Sequence, residues 1–572
     1  GDTLEYTVVV QNTGDQTATN VNFSDTLDAN TTLTGPVHVS PLAFKDSYTS
    51  LGNVGITVNA ANGVLANDID PDSNVSLSVT ANAGGTTQGG TFAIAADGSF
   101  SYRPPTGFEG IDTFSYTLSD GDSITPNDTE TVTITVNEVI WFIDNSATGP
   151  GAGQLSDPFN SIANFNNLAA DEAGDIIFIY ETGSGVYTGD IALLSNQTVI
   201  GQGASASIAA ITGITVPPFS NAIPSTGGSR PVLGNSFVGV RIQANNTLSG
   251  FDIGNTPFGG AGIANLPQNV SFGALTISDM AIGGAGRAIL LLGDGTLDVT
   301  LDSVNSSADV NGLGFLGTTG VIDGKFTVTG ATTIDDTDNI GINIFNSSAT
   351  YDFGNTSITN VGVNQAVNIT SSPSGSFTFD ALTITTDNGP GLFANGGAVN
   401  VTGSANTINA TNGPAVSLTN TTIGTSGITF RSVSANNAAN GIVLNNTGSG
   451  SFSVTGVGVT AGSGGTIQNI SGSGVNLISA QNVSLANMNL TNTAQSPAVA
   501  TGSATCDDED SGTNTGCNAA VYMHNTTNTT LVGLIINDSN QHGLNGNNVN
   551  GLTVQNTAVD NIGDSSLENG LA

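Results

Sequence analysis

At 572 residues the chain exceeds one ordinary domain and predicts two to four. It carries 7 Lys and Arg against 45 Asp and Glu, a net charge of −38, yet only 9% of its residues are charged, so Asn, Thr, Ser and Gly supply most of the polarity. So negative a surface excludes nucleic acid and anionic membrane as partners and attracts cations, while a 38% hydrophobic share excludes a disordered composition. No apolar run approaches the roughly 18 residues of a membrane-spanning helix, so membrane insertion is not expected. With no signal peptide and no initial Met, the sequence reads as a mature or excised product.

Residues 1–36 open with alternating Leu4, Tyr6, Val8 and Val10, a strand, followed by the turn "NTGDQ" and a second strand around Val21 and Phe23. "GDTLEYTVVVQNTGDQTATNVNFSDTL" resembles the first strands of the Ig-like conserved repeat domain of large bacterial surface proteins. The rest of that sandwich does not follow, and two or three strands alone are marginal. The segment is therefore expected to pair with something else.

Residues 37–137 form one further all-β unit. In "GSFSYRPPTGFEGIDTFSYTLSDGD", Phe100 and Tyr102 share one face of a strand, and Phe114, Tyr116 and Leu118 share one face of the next. The order "FKDSYTS … GVLANDIDPD … GTFAIAADGSFSYRPPTGFEGIDTFSYTLSDG … TVTITV" resembles the cadherin-like tandem repeats of bacterial adhesins over the whole unit. "NDIDPD" places Asp68, Asp70 and Asp72 at alternate positions beside a Pro turn, the kind of oxygen-rich cluster a hard cation takes. The resemblance adds Asp46 of "FKDSY" and Asp120 and Asp122 of "SDGD" to the set and implies calcium as the cofactor. Where the family continues the acidic run, this chain has Ser73 and Asn74.

Residues 138–572 change character. A short helix is expected around Asn160–Ala170, followed by the apolar strands "IIFIY" and "QTVIGQG". This entry is similar to the helix-capped first coil of right-handed parallel β-helices in secreted bacterial proteins. Beyond it a unit recurs: "NGPGLFANG", "NGPAVSLTN", "ANGIVLNN", "GSGVNLIS". One inward position marks each unit: Val240, Ile263, Ile289, Leu313, Ile342, Val367, Leu392, Val416, Ile442, Val475, Val521 and Leu544. The intervals cluster near 25 residues, as in solenoids. The long interval from Val475 to Val521 is expected to hold an additional rung. The closing Asn residues, among them Asn346, Asn420, Asn446 and Asn525, suit a left-handed backbone and can bond the next turn. Gly413 and Gly441 precede strands, where a tight bend is expected. With about fourteen rungs at ~4.8 Å, the solenoid would extend on the order of 65–70 Å.

Cys506 and Cys517 flank a polar loop with no metal-ligand spacing, which predicts a local disulfide and an oxidising compartment. The final "SSLENGLA" begins another unit, Leu571 falling 27 residues after Leu544. Spare strands at one end and an open rung at the other lead to two expectations. Either copies join head to tail by strand donation, or further domains of a longer parent chain complete both ends.

Enzymes remain to be weighed, because parallel β-helices often cleave polysaccharides. A uronate lyase needs a base and cations, and Arg230, Arg241, Arg287, Arg431 and Lys325 form no single stripe. A hydrolase needs paired carboxylates about 5–10 Å apart. Asp335, Asp336 and Asp338, with Asp387 two rungs on, could share an edge, and Asp538 and His542 lie farther along the axis. Solvated turn residues explain all of them equally well. The three His sit in no nucleophile motif. Thr is abundant but shows no constant offset from the inward mark, which argues against a regular surface-binding ladder. The sequence thus reads as an all-β, extracellular or cell-surface adhesive protein: an Ig/cadherin-like β-sandwich followed by a long right-handed parallel β-helix. No catalytic residue is assigned, and a glycan or cell-surface ligand is expected. A polysaccharide-active enzyme on the β-helix is the alternative.

Overall fold

The computed structural model describes residues 8, 24, 26–35, 38–71, 76–123, 125–307, 311–495 and 518–563. The expected N-terminal strand positions Leu4, Tyr6, Val10, Val21 and Phe23 lie outside these residues. So do Asp72, the Cys506–Cys517 pair and Leu571.

The sandwich has two sheets. One orders Ile56–Val58, Phe100–Arg103, Thr91–Ile94 and Asn82–Gly85, all antiparallel. The other holds Ser78–Val79, Gly110–Ser119, Asp128–Ile143 and Asp46–Gly52, the last two running parallel. The strand alternation read from the sequence is met: Phe100, Tyr102, Phe114, Tyr116 and Leu118 are all buried between the sheets. Phe92 stacks on Phe114 with centroids 4.2 Å apart.

The strand Asp128–Ile143 does not stop at the end of the sandwich. Its first part pairs with both sandwich neighbours, and Ile140–Ile143 pairs in parallel with Ile176–Ile179, the opening strand of the β-helix. Leu51 and Val54 of the sandwich share a core with Ile140, Phe142, Phe178, Ile200 and Ile208. The two units are therefore joined through a common strand and a common core. The helix expected over Asn160–Ala170 is only Ile162–Asn166, capped by the Ser161 hydroxyl. Asn-rich sequence on either side favours caps and turns over helix interior.

The β-helix winds through three parallel sheets: a first that runs from Ile191–Ala192 and Val238–Ile242 to His542–Gln555, a second that runs from Ile176–Ile179 and Thr198–Gly201 through Ile322–Val328 and Phe452–Val454, and a third of fourteen strands. All twelve inward marks pair consecutively in a single ladder from Val240↔Ile263 to Val521↔Leu544. One expectation fails here. Val475 pairs directly with Val521, so the long interval holds no additional rung. The residue before each mark is always Gly or Ala, from Gly239 to Gly543. Its reason is close approach, and this revises the expected bend at Gly441. A Cβ on Gly441 would lie 2.4 Å from Ile467 Cγ2 and 2.6 Å from the Gly474 carbonyl of the next rung. Gly413 is likewise pressed, a Cβ there falling 2.4 Å from the Pro390 nitrogen.

The asparagine expectation holds. Asn346, Asn420, Asn446 and Asn525 all have φ between 48° and 57°. Asn446 Nδ2 donates to Asn420 Oδ1 at 3.0 Å, and Asn548 Nδ2 to Asn525 Oδ1 at 2.7 Å, each across one rung. Replacing Asn446 by Ala should cost ~1–2 kcal/mol through left-handed strain, whereas Gly should lose only the amide bond. Thermal melts of the two variants separate these outcomes, and equal melting would refute the backbone argument.

Candidate functional site: an acidic pair in the sandwich

Asp46 opens the parallel strand Asp46–Gly52, and Asp68 follows the short 3-10 turn Val64–Ala66. The fold brings both beneath Tyr116. The Tyr116 hydroxyl lies 2.9 and 3.0 Å from the two Asp68 oxygens and 3.1 Å from the Phe44 carbonyl, and the Phe44 amide donates to Asp68 at 2.8 Å. Burial, and then the Asp68 charge, push the Asp46 carboxyl up to about 7. Burial also pushes Asp68 up to about 6, against the lowering effect of its Phe44 and Tyr116 hydrogen bonds. Asp128 and Glu130 on the neighbouring strand add negative charge, and Asp128 accepts from the Ala43 amide at 2.9 Å.

The five described positions of the acidic set, Asp46, Asp68, Asp70, Asp120 and Asp122, do not form one cage. Asp46 and Asp68 form the pair. Asp120 and Asp122 form a second group, in which the Asp122 amide donates to Asp120 at 2.9 Å, Thr125 Oγ1 donates to Asp120 at 3.1 Å, and the His38 ring contacts Asp122. Asp70 follows the bridge between Leu42 and Ile69. Among the described residues no group of three or more His, Cys, Asp or Glu is arranged to hold a metal ion. Local hydrogen bonds accompany the split: Asp120 accepts from the Asp122 amide two residues on, whereas Asp68 accepts from the Phe44 amide across the sandwich. The pair nevertheless suits a cation electrostatically: Asp46 Oδ2 is buried and has no hydrogen-bond partner among the described residues, and both carboxyls are held in surroundings that resist ionisation. A hard cation at this point would take carboxylate oxygen from Asp46 and Asp68 and complete its shell from carbonyls and water. Sequence reasoning placed Tyr116 only in the core and missed Asp128 and Glu130. The alternating acids of "NDTETVTITV" were the available signal.

On the β-helix, Arg230 is tied to Asp252 at 3.2 Å and Asp302 at 2.5 Å, and Arg241 to Asp190 at 2.7 Å. Asp335 accepts from Thr359 Oγ1 at 2.5 Å and Asn360 Nδ2 at 2.8 Å, while Asp336 and Asp538 have left-handed backbones. His542 is buried in the last described strand of the first sheet. The Thr and Ser residues are more regular than their offsets implied. Turn lengths between sheets vary, but within the second sheet Thr300 pairs with Thr327, and Thr429, Ser453, Ser484, Thr530 and Thr553 pair in succession.

The described residues form a sandwich that leads into a long parallel β-helix, an almost wholly β protein. Residues 38–138 match the family model described as the bacterial cadherin-like domain. No curated protein and no solved structure matches the chain. The cadherin-like match points to the cell surface or exterior, and among the described residues no helix is long and apolar enough to cross a membrane.

Proposed function

We propose that this chain is a non-catalytic adhesive spacer, in which the β-helix is a stiff shaft and the cadherin-like unit a cation-stabilised mount. The observation that carries the reading is the unbroken inward ladder over twelve rungs, whose interior is filled by apolar side chains. A shaft stacked rung on rung gains length and stiffness at each step. The engagement of Arg230, Arg241 and Asp335 within the fold supports the absence of chemistry. The expected result is no cleavage of pectin, alginate or neutral glycans by the intact protein. Turnover abolished by replacing Asp335, Asp336 and Asp338 would establish the hydrolase alternative instead. Electron microscopy of the same sample should show rods; filaments would add the end-to-end assembly expected from the sequence.

A second reading is favoured by the in-register hydroxyls of the second sheet. Along the run Thr429, Ser453, Ser484, Thr530 and Thr553, which carries no charged residue, a repeat of about 4.8 Å presents a hydroxyl-lined strip suited to a neutral glycan. Binding of neutral glycan but not of polyuronate, lost when Ser453 and Thr530 are both replaced by Lys, would support it.

A further inference from the structure

We propose that the joint between the sandwich and the β-helix is a proton-operated clamp, closed when the carboxyl cluster around Trp141 is partly protonated and loosened when all its members are ionised. The proposal goes beyond the adhesive reading and does not depend on it. Trp141 is fully buried on the shared strand, and its indole N–H donates to Asp175 Oδ2 at 2.7 Å. From the sandwich side, loop 104–109 closes over it. Gly107 packs so tightly that a Cβ would lie 2.8 Å from Trp141 Cη2 and 3.0 Å from Ala170 Cβ. The loop is held by Gly107 donating to Asn53 at 2.9 Å, by Gln154 donating to the Pro104 carbonyl at 2.9 Å, and by Glu109 accepting from the Val139 amide at 3.1 Å. From the β-helix side, the Glu172 amide donates to Asp175 at 2.9 Å and Gln197 donates to Asp171 at 2.5 Å.

The charged groups named here are therefore Asp171, Glu172 and Asp175 on one side and Glu109 on the other. Phe159 and the helix Ile162–Asn166, which pack beside Trp141, contribute no titratable group. All four charges are negative. Asp175 is raised by burial and then, against its hydrogen bonds, by the charges of Glu109 and Glu172; Asp171 is raised to about 6 by burial and by Asp175. Glu109 thus acts on Asp175 across the joint. Because the folded-state values are raised, the clamp is tightest in acid and loses stability as pH rises through about 6.

Trp141 is the only Trp in the chain, so the tryptophan emission of the full-length protein reads this joint alone. Between about pH 4.5 and about pH 8 its emission should titrate, and acrylamide access should rise along the same curve. The shift of Asp171 alone, about two pKa units, allows a change of up to ~100-fold in the opening equilibrium, and Asp175 adds to it. Glu109→Gln should lower the midpoint and Asp171→Asn should flatten the curve, whereas Asp46→Asn, in the distant acidic pair, should leave it unchanged. Emission that is flat over this range, a midpoint unmoved by both joint variants, or a titration lost in Asp46→Asn would each overturn the clamp.

Discussion

Tyr351→Ala should be the most damaging single change in the shaft, at ~3–5 kcal/mol. Tyr351 is fully buried and pairs in register with Phe326 on one rung and Phe377 on the next. Its ring stacks on Phe377 at 5.4 Å and on Phe353 at 5.7 Å, and meets Phe315 edge-on at 5.2 Å. Truncation would leave a cavity bounded by rings that cannot collapse without breaking three sheets. Tyr351→Phe removes only the 3.0 Å contact with the Ser347 hydroxyl and should cost about 0.5–1.5 kcal/mol. Because a rung touches only its neighbours, the loss should appear as raised hydrogen exchange confined to rungs near Tyr351. Exchange raised uniformly along the chain, or an alanine variant that melts like the parent, would contradict this picture.

The second large effect belongs to the acidic pair. Asp46 and Asp68 titrate near 7 and 6 in the folded protein, against 3.8 for an ordinary Asp. The folded state therefore holds its protons more tightly than the unfolded chain. Without a divalent cation, sandwich stability should be greatest in acid, below about pH 4, and should fall as pH rises to about 7. Calcium bound at this point would take the pair in its ionised form, so its effect should grow over the same interval. At about pH 8, calcium at 100 times its Kd would contribute ~2.7 kcal/mol, which should raise the sandwich melting temperature by about 10 °C or more. At about pH 5 the shift should nearly vanish. Asp68→Asn should flatten the pH dependence and weaken the calcium response. An identical calcium shift in that variant, or none in the parent at alkaline pH, would remove the pair as a cation site.

Much of this architecture was readable before any coordinates. Period-two alternation exposed the sandwich strands, and a single inward residue per unit exposed the β-helix, because a parallel ladder must place equivalent side chains over one another. Asn at the turns was legible for the same reason, since few other residues accept a left-handed backbone. What escaped was three-dimensional. Nothing in the spacing of "FKDSY", "NDIDPD" and "SDGD" says that Asp46 and Asp68 meet while Asp120 turns to its own loop. The role of Tyr116 was hidden because a core aromatic and a hydroxyl donor are the same letter. The Thr and Ser rows were missed because they were measured from the wrong sheet, across turns of unequal length.

That inequality of turns has a consequence for how such a shaft can change over generations. Val475 and Val521 are neighbours in the ladder although 46 residues separate them, while Val521 and Leu544 are neighbours across 23. The ladder registers only what enters each strand, not how far the chain travelled between strands. Material added at a corner leaves the stacking on either side undisturbed, so a corner can take on a new loop, and a new contact surface with it, without any renegotiation of the core. Such a shaft is a rail along which attachments can be gained, lost or exchanged independently of one another.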